Sequence, residues 1–238
     1  MLMIGRTLVL LVTWVWVLSG SSAFADSILR DTNGDGQLEI LAFGDSITYG
    51  VGDGTQPGEY VATIQGRGSP GGYPLRLSAL VGVPVYNAGV PGEELVGSGA
   101  IGSGIDRFPN LVVGSSVDVV IIMEGSNDSQ HFVTSRTYST TLQKAINVAR
   151  SEGKQVVLAT LPPQTGNHAQ FAGFTYAYSE SVRQLVTLNS LSLSDVEQAF
   201  LQGCPDLSTC AYLNLPEGLH PNTPGYDAIT DTMAAALN

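Results

Sequence analysis

The run Val117-Asp118-Val119-Val120-Ile121-Ile122-Met123 constrains this chain more than any other stretch. Apart from Asp118, apolar and mostly β-branched side chains fill both alternating faces, which predicts a strand buried on both sides. Such a strand belongs in a sheet covered by helices above and below. The rest of the sequence supplies its neighbours. Residues 38–43 and 83–86 read as strands, and residues 155–161 as another, halted by Pro162-Pro163. Helical patterns lie between and after them, at residues 74–81, from about Ser139, and at residues 176–188. In the second, Leu142, Ala145, Ile146 and Ala149 form one stripe, and Gly153 stands as a stop. A last helix opens at Thr223-Pro224 and lines up Tyr226, Ile229, Met233 and Leu237. The alternation predicts an α/β fold, a three-layer α/β/α domain around a central parallel sheet. Ligands in such folds bind at the carboxyl ends of the strands.

The N-terminus reads as a leader. Arg6 precedes an apolar run over residues 8–18, and Ser19 to Ala25 ends in small residues of the A-x-A type. That is the plan of a cleavable secretory signal with its cut after Ala25, leaving residues 26–238 as a single domain. The run is short for a membrane span, and no second segment is long and apolar enough, so the mature chain is expected to be secreted or periplasmic, without stable membrane insertion. A monomer is expected. The formal net charge is −11 with only ten Lys and Arg and no basic cluster, which excludes nucleic acid as an expected partner. Cys204 and Cys210 lie close together in a loop, and in an oxidising compartment a local disulfide is expected.

Several segments fall just after predicted strands. Gly44-Asp45-Ser46 puts a serine in a tight turn after the first, Asn87-Ala88-Gly89-Val90-Pro91-Gly92 follows the second, and Gly125-Ser126-Asn127-Asp128 follows the third. Glu217-Gly218-Leu219-His220 precedes the last helix. No serine has glycine two residues away on both sides, so the G-x-S-x-G elbow is absent. Residues 97–102 match G-x-G-x-x-G, but no strand runs directly into Gly97 and Asp118 begins the next strand rather than closing it. That run reads as a turn.

The four segments, in this order, resemble the SGNH (GDSL) hydrolase family, as a secreted esterase- or lipase-like member, over essentially the whole mature chain. The resemblance implies a flavodoxin-like architecture and a role for each matching residue. Ser46 would be the nucleophile and His220 the base that takes its proton. The backbone N–H groups of Ser46 and Gly89 and the side-chain amide of Asn127 would receive the oxyanion. The family usually has aspartate three residues before the histidine, whereas this chain has Glu217. Glutamate can orient the imidazole if the backbone accommodates its length; otherwise a backbone carbonyl does so. Asp45, Asp128 and His131 are candidate substrate contacts, and His168 is assigned no role.

The resemblance implies hydrolysis of carboxylic esters through an acyl-serine, with no cofactor. Short-chain acyl or acetyl esters, free or on carbohydrate, are the expected substrates. Lysophospholipase or thioesterase activity is the alternative within the family. A different class, a non-catalytic carbohydrate-binding module, would use Tyr49, Tyr60, Tyr73 and Phe132. Asp31, Asn33 and Asp35 resemble half of a calcium loop. The twelfth position, where such a loop needs glutamate, is Ala42, so a plain turn is expected and no metal site.

Overall fold

A computed structural model describes residues 28–53, 71–97 and 102–238. The expected leader, most of the Gly-rich stretch that contains Tyr60, and residues 98–101 lie outside the described residues.

Five parallel strands form one sheet in the order β2-β1-β3-β4-β5. They are β1 (Ile40–Gly44), β2 (Val85–Gly89), β3 (Val119–Met123), β4 (Gln155–Ala159) and β5 (Ser192–Ser194). Every residue of β1 and β3 is buried, as two-sided coverage requires. The helices are α1 (Ser46–Tyr49), α2 (Tyr73–Val81), α3 (Gly104–Val112), α4 (Ser126–Gln130), α5 (Ser135–Ser151), α6 (Ala172–Asn189), α7 (Val196–Gly203) and α8 (Thr223–Leu237). Helix α8 packs on α2 and α7, while α5 packs on α3 and α6. These groups cover opposite faces, because right-handed crossovers leading to the two sides of β1 run over different faces. The three-layer α/β/α expectation is met.

The strand order reverses at β1, whose neighbours are β2 on one side and β3 on the other. Open sheets of this kind place their ligand crevice at that switch point, beyond the carboxyl ends of the strands. The register makes those ends level: Gly44 lies opposite Gly89 on β2 and Met123 on β3. A Cβ on Gly44 would lie 2.1 Å from Thr48 Oγ1, and one on Gly89 would lie 2.2 Å from the Tyr49 nitrogen. Glycine at both positions is what lets α1 sit on the strand ends.

Several boundaries differ from the sequence reading. Strand β2 extends through Asn87-Ala88-Gly89, so this segment ends the strand instead of following it. Its pairing with β1 outweighs the low strand propensity of Asn, Ala and Gly. Helix α5 begins four residues early, where the Thr134 hydroxyl accepts from the Thr137 N–H. Helix α3 escaped notice because Gly104 and Pro109 interrupt its pattern; buried Phe108 and Val112 hold it to the core. Cys204 and Cys210 form a disulfide.

Candidate active site

Ser46 opens α1 directly after β1. Asp45 caps that helix, accepting from the Ile47 N–H at 2.8 Å. His220 arrives from the loop before α8 and places Nε2 2.9 Å from Ser46 Oγ. Its Nδ1 hydrogen-bonds Glu217 Oε1. The other carboxylate oxygen accepts from the backbone N–H of His220 at 2.9 Å and of Leu219 at 3.3 Å. An ionised carboxylate only accepts, so the ring proton sits on Nδ1 and Nε2 is free to accept from the Ser46 hydroxyl. Burial pushes the Glu217 carboxyl up, but the His220 ring and backbone N–H outweigh it and hold the group below the usual range, hence ionised. The structure therefore brings Ser46, His220 and Glu217 into one hydrogen-bonded line, and a side-chain carboxylate orients the ring.

A clasp holds the acid in place. The Thr165 N–H donates to Gly218 O at 2.9 Å, Asn167 N–H donates to Pro216 O at 2.9 Å, and His168 Nδ1 lies 2.8 Å from Glu217 O. Residues 165–168 thus grip residues 216–218. Sequence reasoning gave His168 no role, and a polar loop histidine carries no spacing signal that would have found it.

The three oxyanion candidates stand at level strand ends. Asn127 Nδ2 donates one hydrogen to Glu93 O at 2.7 Å, and its second meets no acceptor among the described residues. Asn127 Oδ1 faces Gln130 Nε2 at 3.4 Å. The Gly89 N–H donates to Asn87 Oδ1 at 2.9 Å.

Asp45 and Asp128 require a correction. Neither faces a substrate: both are buried, with their oxygens turned onto backbone N–H groups. Asp45 also accepts from Ser126 N–H at 3.3 Å, and Asp128 from Leu95 at 2.7 Å and Val96 at 2.9 Å. Burial raises each carboxyl to about 6 against those bonds. They brace the loops that carry Ser46 and Asn127. Glu124, next to Asn127's helix, is 1% exposed and has no hydrogen-bond partner among the described residues on either carboxyl oxygen. Its pKa is pushed well above the ordinary range by burial and by Asp45, Glu93 and Asp128. His131 is exposed, with Nδ1 3.1 Å from Glu94 Oε1.

Tyr49 and Tyr73 are buried, which removes them as carbohydrate contacts. Phe132 is 63% exposed, with Phe171 and Phe174 at centroid distances of 5.9 and 5.6 Å. Asp31 accepts from the Gly34 and Gly36 N–H groups, forming the expected turn. Among the described residues, no group of three or more His, Cys, Asp or Glu is placed to hold a metal ion, and no helix is long and apolar enough to cross a membrane.

Comparison with known proteins agrees with this fold. No curated protein matches the chain. A solved member of the lipolytic G-D-S-L family from Veillonella parvula superposes with TM-score 0.64 at 20% identity, covering 83% of this chain and 97% of that one. The lipase/acylhydrolase from Enterococcus faecalis gives 0.64 at 24% identity, over 84% and 94% of the two chains. A catalytic mutant of an acetylxylan esterase from Geobacillus stearothermophilus gives 0.66 at 21% identity, over 87% and 96%. These likenesses establish the fold. The model of the GDSL-like lipase/acylhydrolase family matches residues 42–228, from inside β1 to inside α8, and so spans every segment of the site. The chain belongs to the GDSL-like lipase/acylhydrolase family, whose members are hydrolases acting on esters.

Proposed function

We propose that this protein is a secreted serine esterase that hydrolyses carboxylic esters through an acyl-serine intermediate. The observation that carries the reading is the hydrogen-bonded line from Ser46 Oγ through both His220 nitrogens to Glu217. Ser46 Oγ attacks the ester carbon while its proton passes to Nε2. Glu217 stabilises the imidazolium and keeps its face towards Ser46. The carbonyl electrons move onto oxygen, which the Ser46 N–H and the second hydrogen of Asn127 Nδ2 receive, joined by the Gly89 N–H as it exchanges Asn87 Oδ1 for the oxyanion. As the tetrahedral intermediate collapses, the carbon–oxygen bond to the alcohol breaks and His220 protonates the departing oxygen. Water then repeats the sequence on the acyl-serine and releases the acid.

Short acyl, acetyl or aryl esters suit the site best, free or on carbohydrate. The exposed ring of Phe132 and the half-buried rings of Phe171 and Phe174 border it, since Phe132 follows Asn127's helix and Phe171 lies 6.3 Å from His168 by ring centroid. Three tilted phenyl rings without polar handles offer an apolar group of the ester a surface to leave water on. The leader-like N-terminus and the disulfide support secretion. A monomer acting on a small or polysaccharide ester completes the reading.

Turnover of p-nitrophenyl acetate, butyrate and octanoate, alongside acetylated xylan, tests it. Hydrolysis of at least one, lost in His220→Ala, is expected. No hydrolysis of any, or full activity in His220→Ala, would contradict it.

A further inference from the structure

Arg107 of α3 reaches two places that matter to the oxyanion donors. Its Nη2 donates to Ala88 O at 3.0 Å, and its Nε donates to Glu93 Oε1 at 2.8 Å. A second bond, from Nη2 to Glu93 Oε2, completes a bidentate pair with a carboxylate whose side chain is 2% exposed. The guanidinium lies 4.6 Å over the Phe43 ring, which fixes its plane.

The Ala88 carbonyl and the Gly89 N–H belong to one rigid trans peptide, in which they point in opposite directions. Strand pairing seats this peptide opposite Gly44, Asn87 Oδ1 holds its N–H until an oxyanion takes that place, and a cationic donor on its carbonyl further holds the plane and polarises the N–H. The Glu93 main chain is the other target. Its carbonyl accepts from Asn127 Nδ2 at 2.7 Å, so it sets the rotation of that amide. The same loop is gripped from its far side by Asp128 on the Leu95 and Val96 N–H groups.

We infer that Arg107 is a positioning residue that aligns two oxyanion donors at once, the Gly89 N–H through its peptide plane and the Asn127 amide through Glu93. This rests on the reading of the site as a serine esterase. Lysine replaces it only in part, because a point charge cannot hold Ala88 O and both oxygens of Glu93 in the geometry of a fork.

The test is steady-state kinetics on p-nitrophenyl acetate for Arg107→Gln, Arg107→Lys, Asn127→Ala and the Arg107→Gln/Asn127→Ala double variant, with circular dichroism and melting curves as controls. Removing one oxyanion donor typically lowers kcat by about 10²–10³-fold. Arg107→Gln is expected to lower kcat by about 10²-fold, with KM within about threefold of wild type. Arg107→Lys should fall between the two. In the double variant the losses should not multiply, because Arg107 acts partly through Asn127. A folded Arg107→Gln protein with wild-type kcat would overturn the inference, and so would fully multiplicative losses. Should Arg107→Gln not fold, Glu93→Gln keeps the side-chain shape while removing the charge. A kcat loss of about tenfold that does not multiply with Asn127→Ala is expected there, and wild-type kcat would refute the inference. Failure is separable from failure of the esterase reading. Serine- and His220-dependent turnover with an unaffected Arg107→Gln variant removes only Arg107, whereas absence of turnover in wild type removes the enzyme.

Discussion

Replacing Glu217 by glutamine changes one atom and sets two hydrogen-bonding demands against each other. In the native site one carboxylate oxygen faces His220 Nδ1, and the other faces two backbone N–H groups, of His220 and Leu219. Glutamine has a single acceptor oxygen. Turned towards the backbone it satisfies two donors; turned towards the ring it satisfies one and points its NH₂ at two N–H groups. The first arrangement wins by the count of bonds. Its NH₂ then donates to Nδ1, which moves the ring proton to Nε2, where it faces Ser46 and cannot accept the serine proton. Trapping the wrong tautomer is worth on the order of 10⁴ in kcat, about 5.5 kcal/mol, in triads of this kind. Glu217→Asp, which keeps both acceptors, should retain activity. The assay is kcat on p-nitrophenyl acetate at neutral pH, with a melting curve to show that the variant folds. Glutamine activity within tenfold of wild type would refute the assigned role of Glu217.

The remaining expectations concern buried acids, the disulfide and the aromatic surface. Glu124 has a folded pKa raised by burial and by neighbouring Asp45, Glu93 and Asp128, so its proton must be held or lost at a cost only above its unfolded pKa near 4.5. Glu124→Gln should therefore match wild type in acid and gain on it by about 1.4 kcal/mol per pH unit above that value, until the folded pKa is reached. Denaturant unfolding at several pH values between 4 and 7 checks this, and a constant difference contradicts it. Replacing Cys204 and Cys210 by serine opens a cross-link between residues six apart, which should lower stability by about 2 kcal/mol and leave kcat unchanged; chemical denaturation with parallel kinetics reads both. Phe132→Ala should lower kcat/KM for p-nitrophenyl butyrate several-fold more than for the acetate, since about 0.8 kcal/mol accompanies each buried methylene. An equal effect on both esters would place the ring outside the acyl path.

What the sequence made legible was the set of strand ends. The apolar run containing Val119 to Met123 demanded a sheet covered on both sides, and the segments around Ser46, Gly89 and Asn127 lie where such a sheet binds ligands. Glu217 was legible as a departure from the usual aspartate, and only the loop geometry decides that its longer side chain reaches the ring. Asp45 and Asp128 were misread because adjacency to a motif does not say which way a side chain turns. Here the orphan N–H groups of a short helix and a tight loop draw both carboxylates inward. His168, Glu93 and Arg107 were illegible for another reason. Their effects run through backbone carbonyls at positions 217, 127's partner 93, and 88, and contacts to main chain leave no mark in residue spacing.

The most direct measurement is covalent labelling of the purified protein with a serine-directed fluorophosphonate, followed by intact-mass and peptide analysis. One adduct per chain, located on Ser46 and lost in Ser46→Ala, with labelling slowed in His220→Ala, is the expected result. An active wild-type protein labelled elsewhere, or not labelled at all, would contradict Ser46 as the nucleophile.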